Sequence, residues 1–311
     1  MKKSVFARSF AILLISCIFC SILSECGSSS KSSSSEPPVY SPLRVLVPEA
    51  PGSDTLGSSP LTLDVSNITQ CYFAAQSDSA DLVTSLQITA PTGVLYSYFI
   101  EPGENAVIPF TEGDGDYTVV GYQQIQGDQY AALYSETLTV ELENEFLPFL
   151  YPNQYVNFSP DSEASKLALS MVSEDTSDID ALKQIYNYVV NNLSYDYDKA
   201  ETVETGYLPD VDETLSTKTG ICFDYAALTT AMLRSCDIPC KLQIGYTGDI
   251  KHAWIDVYIR SKGWVTNAVS FNGDSWSLMD PTFDSSADSD DSEAIQDYIG
   301  NADNYTVQFT R

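Results

Sequence analysis

The chain has 311 residues and carries 43 Asp and Glu against 15 Lys and Arg, a formal net charge of −28 at pH 7. That balance excludes a nucleic-acid binder, whose affinity rests on neutralising phosphates, and adhesion to an anionic lipid surface. The length suffices for two domains with cores of their own.

The first residues have the form of an export signal. Lys2, Lys3 and Arg8 precede an apolar run over residues 10–23, long enough for a signal core and too short for a comfortable membrane span. The run ends in "LSECGSSSKSSSS", which resembles a bacterial lipoprotein signal with Cys26 as the lipidated residue. Glu25 stands where such signals carry a small residue, and the alternative is an uncleaved anchor. The expectation is therefore a signal peptide over 1–25, a Ser/Pro-rich tether over 26–42 and an extracytoplasmic protein, membrane-anchored through lipid or secreted.

From 43 to 144 the apolar residues alternate. "ETLTVEL" sets Leu138, Val140 and Leu142 against Thr137, Thr139 and Glu141, one face buried and the other wet. Comparable runs occupy 61–66, 69–75, 82–89, 94–100 and 105–110, and "DYTVVGY" follows "EGDG", a hairpin-like turn. About seven closely spaced strands predict an antiparallel β-sandwich of immunoglobulin type. Asp114 and Asp116 invite a calcium reading, but a solvated turn explains them better.

"FLPFLYPNQYVNFSP" (146–160) is aromatic and proline-rich, and is expected to connect and pack between two domains. Beyond it the period changes. Ile179, Leu182, Ile185, Tyr186 and Val189 follow helical spacing, with Ser177 and Asp180 placed to cap the helix. From 223 to 233 the apolar positions share one face of a second helix, stopped by "CDIPC" because proline disfavours helical geometry in the residue before it. "KLQIGYTG" and "HAWIDVYI" alternate as strands; His252, Trp254, Asp256 and Tyr258 lie opposite the apolar face of the latter. Asn272-Gly273-Asp274 signals a hairpin.

The seven cysteines fall at 17, 20, 26, 71, 222, 236 and 240, too few and too irregular for a disulfide scaffold. One histidine in the chain argues against zinc; no metal and no cofactor is expected. Cys236 and Cys240 could bond, but small buried groups at a helix end is the default. Cys222 differs. It opens a helix, where the first-turn N–H groups stabilise a thiolate and face any oxyanion formed beside it. His252 begins a strand, and Asp280 ends a later strand of the same sheet, where a carboxylate can orient an imidazole.

"GICFDYAALTTAMLRSCDIPCKLQIGY", "HAWIDVYI" and "DPTF" resemble the three blocks of the transglutaminase-like (transglutaminase core) superfamily, and "IYNYVVNNLSYDYDKA" resembles the segment that precede its catalytic cysteine. The resemblance spans about 165–284. It implies a papain-like α+β fold over 161–311, with Cys222 as nucleophile, His252 as acid/base and Asp280 as orienter. Asp237 replaces the usual glycine at the end of the Cys222 helix. Tyr195 is a candidate second oxyanion donor, with packing beneath the catalytic helix as the alternative. The layout as a whole resembles secreted lipoproteins of clostridia and related Gram-positive bacteria. The family cross-links glutamine to amines, hydrolyses amides, or has lost catalysis. Animal cross-linkers use calcium and further β-domains that have no counterpart here, so a hydrolase acting on protein or peptide substrates is favoured. The alternatives are a cross-linking transglutaminase and a surface binding or adhesion module with vestigial chemistry.

Overall fold

The computed structural model describes residues 44–266, 269–272, 275–278 and 305–311. Cys26 and Asp280 lie outside them. The architecture is mixed, with several antiparallel sheets and few helices.

The alternating first half forms eight strands: β1 (Thr55–Ser58), β2 (Leu61–Asp64), β3 (Tyr72–Ser77), β4 (Thr84–Thr89), β5 (Leu95–Ile100), β6 (Asn105–Pro109), β7 (Gly115–Gln126) and β8 (Gln129–Val140). They make two antiparallel sheets, ordered β1-β2-β3-β6 and β5-β4-β7-β8. Leu61, Leu63, Phe73, Ala75 and Ile108 of the first sheet share one apolar cluster with Leu86, Ile88, Tyr98, Val119 and Leu138 of the second. The period of two puts every second side chain of each strand into that layer.

"EGDG" is not a hairpin turn. It joins β6 to β7, which belong to different sheets, and the hairpin lies instead between β7 and β8, whose register closes at Gln126 and Gln129. Asp114 and Asp116 are strand staples: Asp114 Oδ1 accepts the Leu142 N–H at 2.8 Å and Asp116 Oδ1 the Thr139 hydroxyl at 2.7 Å.

Residues 146–160 pack against both halves. Phe146 meets Tyr258 at 4.4 Å between ring centroids, Phe149 meets Trp264 at 5.3 Å, and Tyr155 meets Tyr98 at 5.7 Å. Each such pair adds about 0.5–1.5 kcal/mol beyond its burial.

The second half opens with α1 (Glu163–Met171) and α2 (Asp178–Asn192), followed by β9 (Ser194–Tyr195), α3 (Tyr197–Thr202), α4 (Val211–Thr217), β10 (Thr219–Gly220) and α5 (Cys222–Ser235). Ser177 caps α2, its Oγ accepting the Asp180 N–H at 3.1 Å. Then come β11 (Cys240–Thr247), β12 (Ile250–Ile259), β13 (Gly263–Val265), β14 (Val269–Asn272), β15 (Ser275–Leu278) and β16 (Tyr305–Thr310). The sheet order β13-β12-β11-β16 is antiparallel throughout. The β14–β15 hairpin forms as the Asn-Gly signal predicts, with Asn272 opposite Ser275. Among the described residues β14 and β15 pair with each other, in a sheet of two strands. Asp280 lies outside the described residues, and with it the expectation that it shares a sheet with His252.

Helix α5 is buried on every side past its first turn, not on one face. Its polar residues hide because they bond internally: Thr229 Oγ1 donates to the Tyr225 carbonyl at 2.8 Å and Ser235 Oγ to the Ala231 carbonyl at 2.7 Å. Ala226, Leu228, Met232 and Leu233 share a cluster with Ile185 and Val189 of α2 and with Ile255 and Val257 of β12. The helix ends in a left-handed cap at Asp237 (φ 59°). The Ile238 N–H reaches the Leu233 carbonyl at 3.1 Å and the Asp237 N–H that of Arg234 at 3.0 Å. That is the turn a glycine usually makes.

Arg234, at the last turn of α5, is fully buried. Its guanidinium donates to the carbonyls of Tyr151, Cys240 and Arg311, with all four contacts at 2.8–2.9 Å. Burial pulls its pKa down to about 10. Arg311 reaches into the first half, its guanidinium carbon 4.2 Å from the Tyr155 ring centre and 4.4 Å from that of Tyr96. Its Nη1 donates to the Tyr98 hydroxyl at 3.0 Å.

Candidate active site

Cys222 is the first residue of α5, and the chain is held tightly on its approach. Lys218 turns out of α4 in the left-handed region (φ 56°). β10 then runs parallel to β9, with Gly220 opposite Tyr195, and the Asp196 N–H donates to the Gly220 carbonyl at 2.9 Å. Gly220 has no room for a side chain, since a Cβ there would stand 2.6 Å from the Cβ of Asp224.

Asp224, in the first turn of α5, is fully buried. One carboxylate oxygen accepts the Ile221 N–H and the Lys199 ammonium, each at 2.8 Å; the other accepts the Tyr207 hydroxyl at 2.6 Å. Lys199 also donates to the Tyr207 oxygen at 2.7 Å. Burial works against the charge of Lys199, but its hydrogen bonds to Asp224 and Tyr207 outweigh that and raise its pKa. Burial and the Asp224 bond push Tyr207 up to about 12. The carboxylate is thereby neutralised and does not oppose negative charge at the helix start. The first bond within the helix is Tyr225 N–H to Ile221 carbonyl at 3.1 Å. The N–H groups of Cys222, Phe223 and Asp224 therefore have no carbonyl partner inside the helix.

His252 lies on β12, buried, opposite Gly245 of β11. Its ring stacks on Trp254 at 6.3 Å and an interplanar angle of 17°, with Tyr305 at 6.5 Å. Gly245 gives β16 room to approach: a Cβ there would stand 1.9 Å from the Thr306 carbonyl oxygen. α5 and β12 pack on one another in a single cluster that includes Ala253, the residue after His252, and has Cys222 at its margin. The fold thus brings the elements of Cys222 and His252 together. Tyr195 is partly buried against the same cluster, its ring 4.9 Å from that of Tyr197.

The four described cysteines are unbonded. Cys71, Cys236 and Cys240 are buried, and burial pushes each thiol up to about 12. Cys222 alone among them is partly exposed. No group of three or more His, Cys, Asp or Glu side chains that could hold a metal occurs among the described residues.

The sequence reading missed Asp224, Lys199 and Tyr207 as supports of the helix start. The one signal was an acid at the third helical position, where it caps and faces the positive helix end.

Residues 165–281 match the model of the Transglutaminase-like superfamily. Over that segment the chain is similar to transglutaminase-like core domains. Among curated relatives, UPF0252 protein MJ1282 of Methanocaldococcus jannaschii is 40% identical over 62 residues, 18% of this chain and 18% of its own length. The uncharacterized protein YebA of Bacillus subtilis is 24% identical over 183 residues, 51% of this chain and 25% of that protein. The chain thus spans a quarter or less of either relative. Among solved structures, a candidate cysteine protease from Cytophaga hutchinsonii aligns over 77% of this chain and 83% of its own, with 14% identity and a TM-score of 0.37.

Proposed function

We propose that the chain is an exported cysteine acyl-transfer enzyme acting on peptide or glutamine-type amides of proteins, with water as its usual acceptor. Cys222 Sγ attacks the amide carbonyl carbon, and the first-turn N–H groups of α5, with the Tyr195 hydroxyl, receive the oxyanion. Protonated His252 gives its proton to the departing amine, leaving a thioester on Cys222. His252 then takes a proton from water, whose oxygen attacks the thioester and releases the carboxylate and the thiolate. Asp280 orients the imidazole.

One observation carries this reading. Cys222 is the partly exposed thiol at a helix start where the buried Asp224 carboxylate is paired with Lys199, whereas the other described thiols are sealed. In the same reading residues 43–144 are an immunoglobulin-type sandwich and residues 161–311 a papain-like domain, and Cys26 carries the lipid anchor after removal of residues 1–25. Mass spectrometry of the native amino terminus tests the anchor; an intact Met1, or cleavage without lipid, removes it.

The chemistry is tested by incubating the protein with a glutamine-containing peptide library, with and without a primary amine. Cleavage or ammonia release that is lost in Cys222→Ala supports the hydrolase. Amine incorporation makes it a cross-linker. A library left unchanged by the protein overturns the enzymatic reading.

A further inference from the structure

Sheet order leaves β6 with a neighbour on one side only among the described residues. The phase of its pairing is fixed at both ends: the Phe110 N–H donates to the Cys71 carbonyl at 2.9 Å and the Ser77 N–H to the Glu104 carbonyl at 3.1 Å. In an antiparallel ladder, residues in step with these bond inward and those between them bond outward. Ala106 and Ile108 therefore bond to β3, while the backbone N–H and carbonyl groups of Asn105 and Val107 face away from it.

A cleft of about 470 Å³ is lined by Asn105, Ala106 and Val107 of β6 together with Val47, Pro48, Gln154 and Leu208. This volume is in the range of specific binding sites. Two observations indicate its occupant. Asn153 lines the cleft and is 4% exposed; its Oδ1 accepts the N–H groups of Tyr155 and Val156 at 2.9 and 3.1 Å, which fixes the amide. Its Nδ2 is buried with no hydrogen-bond partner, an unmet donor on a residue of the cleft lining. The ionisable residues of the lining are Glu101 and Glu104, and no Lys or Arg is among them.

The cleft also adjoins the candidate site. Phe223, next to Cys222, contacts the rings of Tyr155 and Tyr207, each at 6.3 Å. Their chain neighbours Gln154 and Leu208 line the cleft.

We infer that this cleft binds an extended, lysine- or arginine-bearing peptide segment as an added strand on β6. Outward groups of Asn105 and Val107 pair with its backbone, Asn153 Nδ2 donates to one of its carbonyls, and Glu101 and Glu104 face its cations. As a subsite for substrate chain flanking the reacting amide, it rests on the acyl-transfer reading; as a peptide site it stands apart from it.

The test uses Cys222→Ala protein, so that turnover does not consume the probe, and fluorescence anisotropy of two labelled peptides of equal length, alternating Lys-Val and Glu-Val. The Lys-Val peptide is expected to bind saturably and to weaken with salt, and the Glu-Val peptide to stay free. Val107→Pro removes one outward N–H without touching the β3 ladder and is expected to weaken binding at least tenfold. Glu101→Lys with Glu104→Lys, on exposed positions, is expected to do the same. A Lys-Val peptide that does not bind, or binds both variants as it binds the parent, overturns the inference. Binding by a protein whose wild type turns over no substrate keeps the cleft and removes the enzyme. Turnover of basic substrates unchanged by both variants does the reverse.

Discussion

Lys199 and Asp224 meet at 2.8 Å across the start of the Cys222 helix, the carboxylate fully buried and the lysine side chain 30% exposed. Removing the cation leaves a buried carboxylate beside the candidate nucleophile. Lys199→Met is expected to destabilise the fold by about 2 kcal/mol, the low end for a buried charge left unpaired because the lysine is partly solvated. A double-mutant cycle with Asp224→Asn, measured by urea unfolding, should show positive coupling. Additive effects would mean that the pair contributes nothing.

Iodoacetamide should label Cys222 well ahead of Cys71, Cys236 and Cys240 in the native protein, as peptide mass mapping would read. The three slow thiols are buried and held protonated. His252→Ala should remove most of the Cys222 advantage at mildly acidic pH if the imidazole supports the thiolate. Equal labelling of all four thiols, unchanged by that substitution, would return Cys222 to the core.

Stability should fall at alkaline pH from the same cause. In the unfolded chain a thiol ionises near pH ~8.5, whereas Cys71, Cys236 and Cys240 hold their protons to about 12 in the fold. Between those values the folded state binds more protons, so raising pH favours unfolding by about 1.4 kcal/mol per pH unit for each thiol. Tyr98 and Tyr207, also pushed up to about 12 by burial, add to the slope above about pH 10. Urea melts at about pH 7.5, 9 and 10 measure it, and Cys236→Ala should shallow it. A flat profile would contradict the burial of these thiols.

Gly245→Ala should loosen β16. The added methyl meets the Thr306 carbonyl, and neither strand can yield without breaking its ladder. A loss of about 3 kcal/mol is expected, with new proteolytic cleavage within 305–311. An unchanged melt would show that β16 does not need that approach.

Much of the fold was legible because alternation survives wherever one face of a strand is wet. Leu138 and Val140 lie in the core as their spacing predicts, and Ala253, Ile255, Val257 and Ile259 fill one face of β12. The short helices α1, α3 and α4 escaped, since six to nine residues offer too little period to register. The placement of Cys222 at a helix start was readable from its neighbours. Its support was not, because Lys199 and Asp224 are 25 residues apart and only the fold makes them partners. Likewise "EGDG" has the composition of a hairpin turn, and only sheet order shows that it crosses between sheets.

The contacts of Arg311 bear on the order in which the molecule can assemble. This residue reaches Tyr98, 213 positions earlier in the chain, and its strand supplies the outer neighbour of β11. The sheet that carries His252 is thus incomplete until residues 305–311 have left the ribosome. Contacts of such sequence separation close slowly, because the chain entropy of a long loop must be lost before they form. A nascent chain lacking these residues would expose the open edge of β11, a template for pairing with another chain.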